Sequence, residues 1–132
     1  MSVRVRNVVF ILCGVAVLVL KSSYAGPYPE LVHSYLGNFS VSFAVYFLCV
    51  NAVLLADPLL RLSGSQRRSA AAVLAFAVVA LFEETNGFGV MSNTYDPLDH
   101  LANAAGIAFA VLADAATAKF IQNVEPVGRR AG

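Results

Sequence analysis

LFEETNGFGVMSNTYDPLDHLANAAGIAFAVLAD, residues 81–114, carries most of the polar chemistry of the chain and the break between two apolar segments. Five of the ten acidic or histidine side chains fall between Glu83 and His100: Glu83, Glu84, Asp96, Asp99 and His100. An apolar segment runs into the two glutamates, and Gly87 and Gly89 break it. Asp96-Pro97-Leu98-Asp99 then has the order of a helix start. Aspartate suits the N-cap, proline suits the first helical position, and a second acid lies near the positive end of the helix dipole. The reading is two apolar helices joined by an acidic loop, residues 83–99.

Outward from this stretch the same pattern repeats. The segment before it is rich in alanine and valine and predicts a span over about 67–85. Ser63-Gly64-Ser65 supplies the preceding helix stop and restart. The segment after the loop predicts a span over about 98–120, followed by a disordered tail, 121–132, with Pro126, Gly128, Arg129 and Arg130. Upstream, residues 38–56 form an aromatic-rich span with Phe39, Phe43, Tyr46 and Phe47, and Asp57-Pro58 ends or kinks it. Residues 30–37 are expected to form a short interfacial helix, with Tyr28, His33 and Tyr35 at headgroup level.

The start of the chain has two readings. Arg4 and Arg6, an apolar core from Val8 to Leu20 and Ser23-Tyr24-Ala25 resemble a secretory signal cleaved after Ala25. Alternatively residues 4–24 are a retained first span, long enough to cross a bilayer if the arginines snorkel to its surface. The retained span is the expectation.

Composition agrees with a membrane class. The chain of 132 residues is 58% hydrophobic and 13% charged, with mean hydropathy +0.70. A soluble domain carries nearer 25% charged residues, so this chain has too few to cover a wet surface. The fold expected is a single all-α transmembrane domain, 1–132, a bundle of four helices whose main partner is the lipid bilayer. A net charge of +1 and the lack of a basic patch interleaved with aromatics argue against nucleic acid. Cys13 and Cys49 lie inside apolar runs without metal-ligand spacing and are expected to be buried free thiols. No cofactor and no metal is expected.

Charge placement predicts the topology. With both termini cytoplasmic, Arg4, Arg6, Arg61, Arg67, Arg68, Lys119, Arg129 and Arg130 lie inside and only Lys21 lies outside. That matches the positive-inside rule and turns the acidic loop outward, in a bacterial plasma membrane.

Charged groups at membrane depth are costly and mark candidate sites. Asp99 and Asn103, four apart, share a helix face that continues through Gly106, Ala110 and Asp114. Glu83 and Asn86 share a face three apart. One of the two glutamates is expected to face the bundle. Glu83, Glu84, Asn86, Asp99, His100 and Asn103 therefore form a candidate outer polar pocket. Its chemistry ranges from solvated helix ends to a divalent-cation site or acid–base work on a lipid headgroup. Asn51 and Asp114 are a candidate interhelical polar pair. Ala102-x-x-x-Gly106-x-x-x-Ala110 is a small-residue stripe suited to close helix packing. His33 is expected at the surface.

Glu83-Glu84-Thr85-Asn86, and Asp99-His100-Leu101-Ala102-Asn103 running on to Gly106, resemble the VanZ-like family of small four-span membrane proteins. In that family a glutamate near the end of the third helix is followed three residues later by an amide. The fourth helix opens with Asp-x-x-x-Asn and continues to a glycine. The resemblance covers roughly residues 31–120. Asn86 stands where the family usually has glutamine, and residues 87–98 lack the arginine many members carry. The resemblance implies a non-enzymatic envelope protein that influences glycopeptide susceptibility of the teicoplanin type or lipid-linked surface material. The alternatives are a membrane enzyme using Glu83 and Asp99 on a headgroup, and an assembly subunit of a membrane complex. Expected partners beyond the bilayer are a lipid-linked envelope precursor or another membrane protein.

Overall fold

A computed structural model of the chain describes residues 2–87, 89 and 96–124, with side chains through Ile121. Among these residues the structure is all helical: α1 Val3–Leu20, α2 Pro29–Leu60, α3 Gly64–Glu84 and α4 Pro97–Val124, with a 3-10 turn, Lys21–Ser23, closing α1. All four helices are long and apolar enough to cross a membrane. In a bilayer core a helix satisfies its own backbone polar groups, so an all-helical bundle is a workable spanning architecture. The chain has the build of a multi-pass membrane protein.

α2 is the organising helix. It packs against α1, α3 and α4, and α3 also packs against α4. Helices consecutive in the chain run antiparallel, so α2 and α4 are parallel, and the bundle has two distinct ends. One carries the start of α1 and the α2–α3 turn, here the arginine end. The other carries Glu83 and the start of α4, here the Glu83 end. Phe43, Tyr46, Phe47, Cys49, Val50 and Val53 of α2 meet Ala71, Ala75 and Val79 of α3 and Ile107 and Ala110 of α4 in the core. Phe10 stacks on Phe47 with ring centroids 4.6 Å apart, and Phe39 and Phe43 reach Phe109 at 5.8 and 5.9 Å. The outward faces display Leu12, Leu48, Leu55, Val73, Leu112 and many similar side chains. In water such a patch would drive association, whereas lipid solvates it.

Two glycines set the helix spacing. A Cβ on Gly14 of α1 would lie 3.0 Å from the Ser40 carbonyl, and a Cβ on Gly106 of α4 would collide with the Phe39 carbonyl and the Ser42 hydroxyl. Both approaches fall on one stretch of α2, where Ser40 and Ser42 are buried and return their hydroxyls to the Leu36, Asn38 and Phe39 carbonyls. The small-residue stripe on α4 therefore packs within the bundle.

Several boundaries differ from the sequence reading. No break separates residues 30–37 from the second span, because α2 is one helix of 32 residues. Pro58 sits inside its last turn, and the helix ends at Arg61 in the left-handed region, with the Arg61 N–H donating to the Asp57 carbonyl at 2.8 Å. The Asp57 carboxylate then accepts from the Leu62 N–H and from Arg67, both at 3.2 Å, and so ties the α2–α3 turn. Ser63 and Gln66 form a reciprocal capping box that starts α3. α4 continues through Ile121–Val124, so the expected tail begins too early, and its remainder, 125–132, lies outside the described residues. Cys49 is buried as expected, but Cys13 is exposed on the outer face of α1.

Candidate functional site

Asp96 builds the start of α4 as expected: its carboxylate accepts from the Leu98 N–H at 2.9 Å and its carbonyl from the Asp99 N–H at 3.0 Å. The Tyr35 hydroxyl of α2 donates to the same carboxylate at 2.9 Å. This pins the α4 start to α2 and aims Asp99 and Asn103 into the bundle, where both are buried. The stripe Asp99–Asn103–Gly106–Ala110–Asp114 is buried throughout. The amide of Asn38 on α2 lies within hydrogen-bonding reach of Asp99, and Glu83 and Asp96 are near enough to act on it electrostatically.

On α3 the two glutamates separate. Glu83 turns toward the bundle and lines a cavity of about 420 Å³. Glu84 points away, with 61% of its side chain exposed, and faces His100 at 3.5 Å. Asn86 follows the helix with φ 49°, in the left-handed region where asparagine is tolerated. Its N–H donates to the Glu83 carbonyl at 3.1 Å, and the Gly87 N–H donates to Phe82 at 2.8 Å, a glycine-assisted helix stop. Asn86 thus has a backbone role as well as a place on the cavity wall. Residues 88 and 90–95 of the acidic loop lie outside the described residues.

The cavity is amphipathic. Its polar rim is Lys21, Asn38, Glu83, Asn86 and Asn103, and its walls are mainly valine with Leu18 and Phe82. Of the six expected pocket residues, Glu83, Asn86 and Asn103 line it. Asp99 sits behind the rim beside Asn38 and Glu83. Glu84 and His100 form a pair of their own, outside it. Lys21 and Asn38 are additions. Lys21 crosses the bare surface of Gly37 and donates to the His33 carbonyl at 2.5 Å, which fixes its ammonium at the rim. The expected surface residue His33 is half-buried, its ring 3.2 Å from the Tyr24 carbonyl. Glycine at 37, one helical turn from His33 and next to Asn38, was the readable sign that another element approaches there.

One atom stands out. Asn103 is 2% exposed, and its Nδ2 has no hydrogen-bond partner among the described residues. An unpaired buried amide donor costs about 1–3 kcal/mol. Such a group on a cavity wall is suited to a ligand acceptor. Among the described residues, no three His, Cys, Asp or Glu side chains gather to hold a metal ion.

A second polar cluster lies at the arginine end. Asp114 accepts from Arg6 at 2.5 Å, from the Tyr46 hydroxyl at 3.1 Å and from Arg68 at 3.3 Å. Arg6 also donates to Asn7 at 2.9 Å and to Thr117 at 3.1 Å, and Asn7 donates to Asn51 at 2.8 Å. Asn51 and Asp114 therefore belong to one network but do not bond to each other. Asn7 and Arg6 stand between them. Arg6 does not snorkel to the bilayer surface: it is 4% exposed and turned inward. An arginine near a helix start reads as a topology signal in sequence, and only the placement of α1 and α4 on the same helix, α2, shows its partner.

No protein-family model, no curated protein and no solved structure matches the chain. Its function is therefore read from its own chemistry.

Proposed function

We propose that this is a VanZ-like multi-pass protein of the bacterial plasma membrane that acts by binding, without turnover. It holds a lipid-linked molecule of the cell surface in the cavity at the Glu83 end. Both termini are cytoplasmic in this reading, by the distribution of basic residues, and the cavity opens at the outer leaflet. The observation that carries it is the unpartnered Asn103 Nδ2 on the wall of an amphipathic cavity. The valine walls suit an acyl or prenyl chain, and the rim of amides, one ammonium and one carboxylate suits an uncharged or zwitterionic headgroup rich in acceptors. Loss or gain of such a ligand is how the protein alters susceptibility to glycopeptides and other wall-directed agents.

A second reading rests on the nearness of Glu83 to Asp99. Two carboxylates in one site are the usual equipment for acid–base work on a headgroup ester. It requires turnover that Glu83→Gln abolishes.

The test is an envelope-stress panel. Cells lacking the gene receive wild type, Asn103→Leu or Glu83→Gln at matched membrane abundance, and are challenged with glycopeptides and lipid-directed agents. Protection by wild type alone supports the reading. Equal protection by all three removes the cavity from the function and turns attention to an assembly role for the packing faces.

A further inference from the structure

The network around Asp114 borders a separate cavity of about 230 Å³ at the arginine end, with Arg6, Arg67 and Arg68 in its wall. Three guanidinium groups meet two carboxylates there, Asp114 and Asp57, which leaves one positive charge in excess. The arginines differ in how far they are committed. Arg6 is buried, with both terminal nitrogens bonded to Asn7, Asp114 and Thr117. Arg67 reaches Asp57 and the Leu62 carbonyl through Nε, and Arg68 reaches Asp114 through Nε. Both thus keep their terminal NH₂ pairs clear of partners among the described residues. Both are about one-third exposed, 36% and 30% by side chain, at the mouth. The inner wall is apolar, with Val3, Val50 and Leu54.

We propose that this cavity binds the phosphate of an anionic phospholipid from the leaflet at that end, independently of the Glu83 end. A guanidinium presents parallel donors that match phosphate oxygens. Arg67 and Arg68 supply two such groups, Arg6 supplies fixed positive charge behind them, and the aliphatic wall takes the glycerol and the first methylenes. Basic pockets between spanning helices are a recurrent form of lipid-headgroup recognition. A free phosphate shares the chemistry of the headgroup but gains nothing from the apolar wall, and this difference commits the site to a lipid.

The experiment uses the full chain, delipidated in detergent, with thermal unfolding followed during titration of phosphatidylglycerol, phosphatidylcholine or inorganic phosphate. The expected result is a rise in Tm with phosphatidylglycerol at concentrations where phosphatidylcholine and phosphate have no effect. Arg67→Gln should weaken that response by roughly fivefold, whereas Arg4→Gln, outside the cavity, should leave it within twofold. Equal responses to the two lipids overturn the proposal. So does a response reproduced by inorganic phosphate alone, or a loss with Arg4→Gln as large as with Arg67→Gln. The wild-type lipid comparison decides the matter even if a variant does not fold.

Discussion

Arg6 and Asp114 are 108 positions apart and meet at 2.5 Å, both almost fully buried. The pair joins the first helix to the last across α2, and Tyr46 of α2 and Arg68 of α3 bond the same carboxylate. All four helices thus share one acid. A buried charge without its partner is strongly destabilising, at about 3–5 kcal/mol. Asp114→Leu is therefore expected to lower the Tm steeply, and Arg6→Met placed on that background to recover part of the loss. Thermal unfolding of the two single variants and the double closes the cycle. A double variant as damaged as the sum of the singles would show that the two residues do not act as a pair.

Gly106 is expected to tolerate no side chain. An added Cβ meets the backbone carbonyl of Phe39, which cannot swing aside as a side-chain tip would. Gly106→Ala should cost about 1–3 kcal/mol by forcing α2 and α4 apart, and Gly106→Leu should cost more. Gly64→Ala, where an added Cβ meets nothing, is the matched control. Unfolding in mild detergent reads both.

The two glutamates should behave differently. Glu83 lines the cavity, whereas Glu84 is exposed and pairs with His100 near the surface, an arrangement worth about 0–1 kcal/mol. Glu83→Gln should abolish protection in the envelope-stress panel, and Glu84→Gln should leave it intact at equal abundance.

The cysteines give a test of the packing that is independent of function. Cys13 faces outward and Cys49 is 6% exposed. In detergent, N-ethylmaleimide should modify Cys13 first and reach Cys49 only on unfolding, as read by mass spectrometry. Simultaneous labelling would contradict the orientation of α1 and α2.

The number of helices was legible because apolar length is a direct consequence of bilayer thickness. Asp96 and Pro97 marked the start of α4 because capping chemistry is local. The burial of the α4 face from Asp99 to Asp114 was legible from its spacing alone. The partners on other helices were not. Arg6 looks the same in sequence whether it reaches for phosphate at the bilayer surface or for a carboxylate on another helix. Asn51 and Asp114 lie at similar depth, yet Asn7 occupies the space between them. Asn38 read only as the first residue of a span. In the fold Gly37 is bare so that Lys21 can cross it, and Asn38 faces Asp99. Glu83 could not be told from Glu84 while the pitch of α3 against α4 was unknown.

The cavity at the Glu83 end is tested most directly by the lipids that stay with the protein. Wild type and Asn103→Leu would be purified in mild detergent, and the bound lipids quantified by mass spectrometry against the bulk membrane. Leucine repeats the branching of asparagine but is larger; the adjoining cavity gives its methyl groups room, and the change removes an unpaired buried amide donor, so the variant should fold with little loss in Tm. The account predicts that one lipid-linked class is enriched with wild type and falls by roughly tenfold in the variant, the equivalent of one hydrogen bond. Identical bound lipids in two equally stable proteins would contradict it.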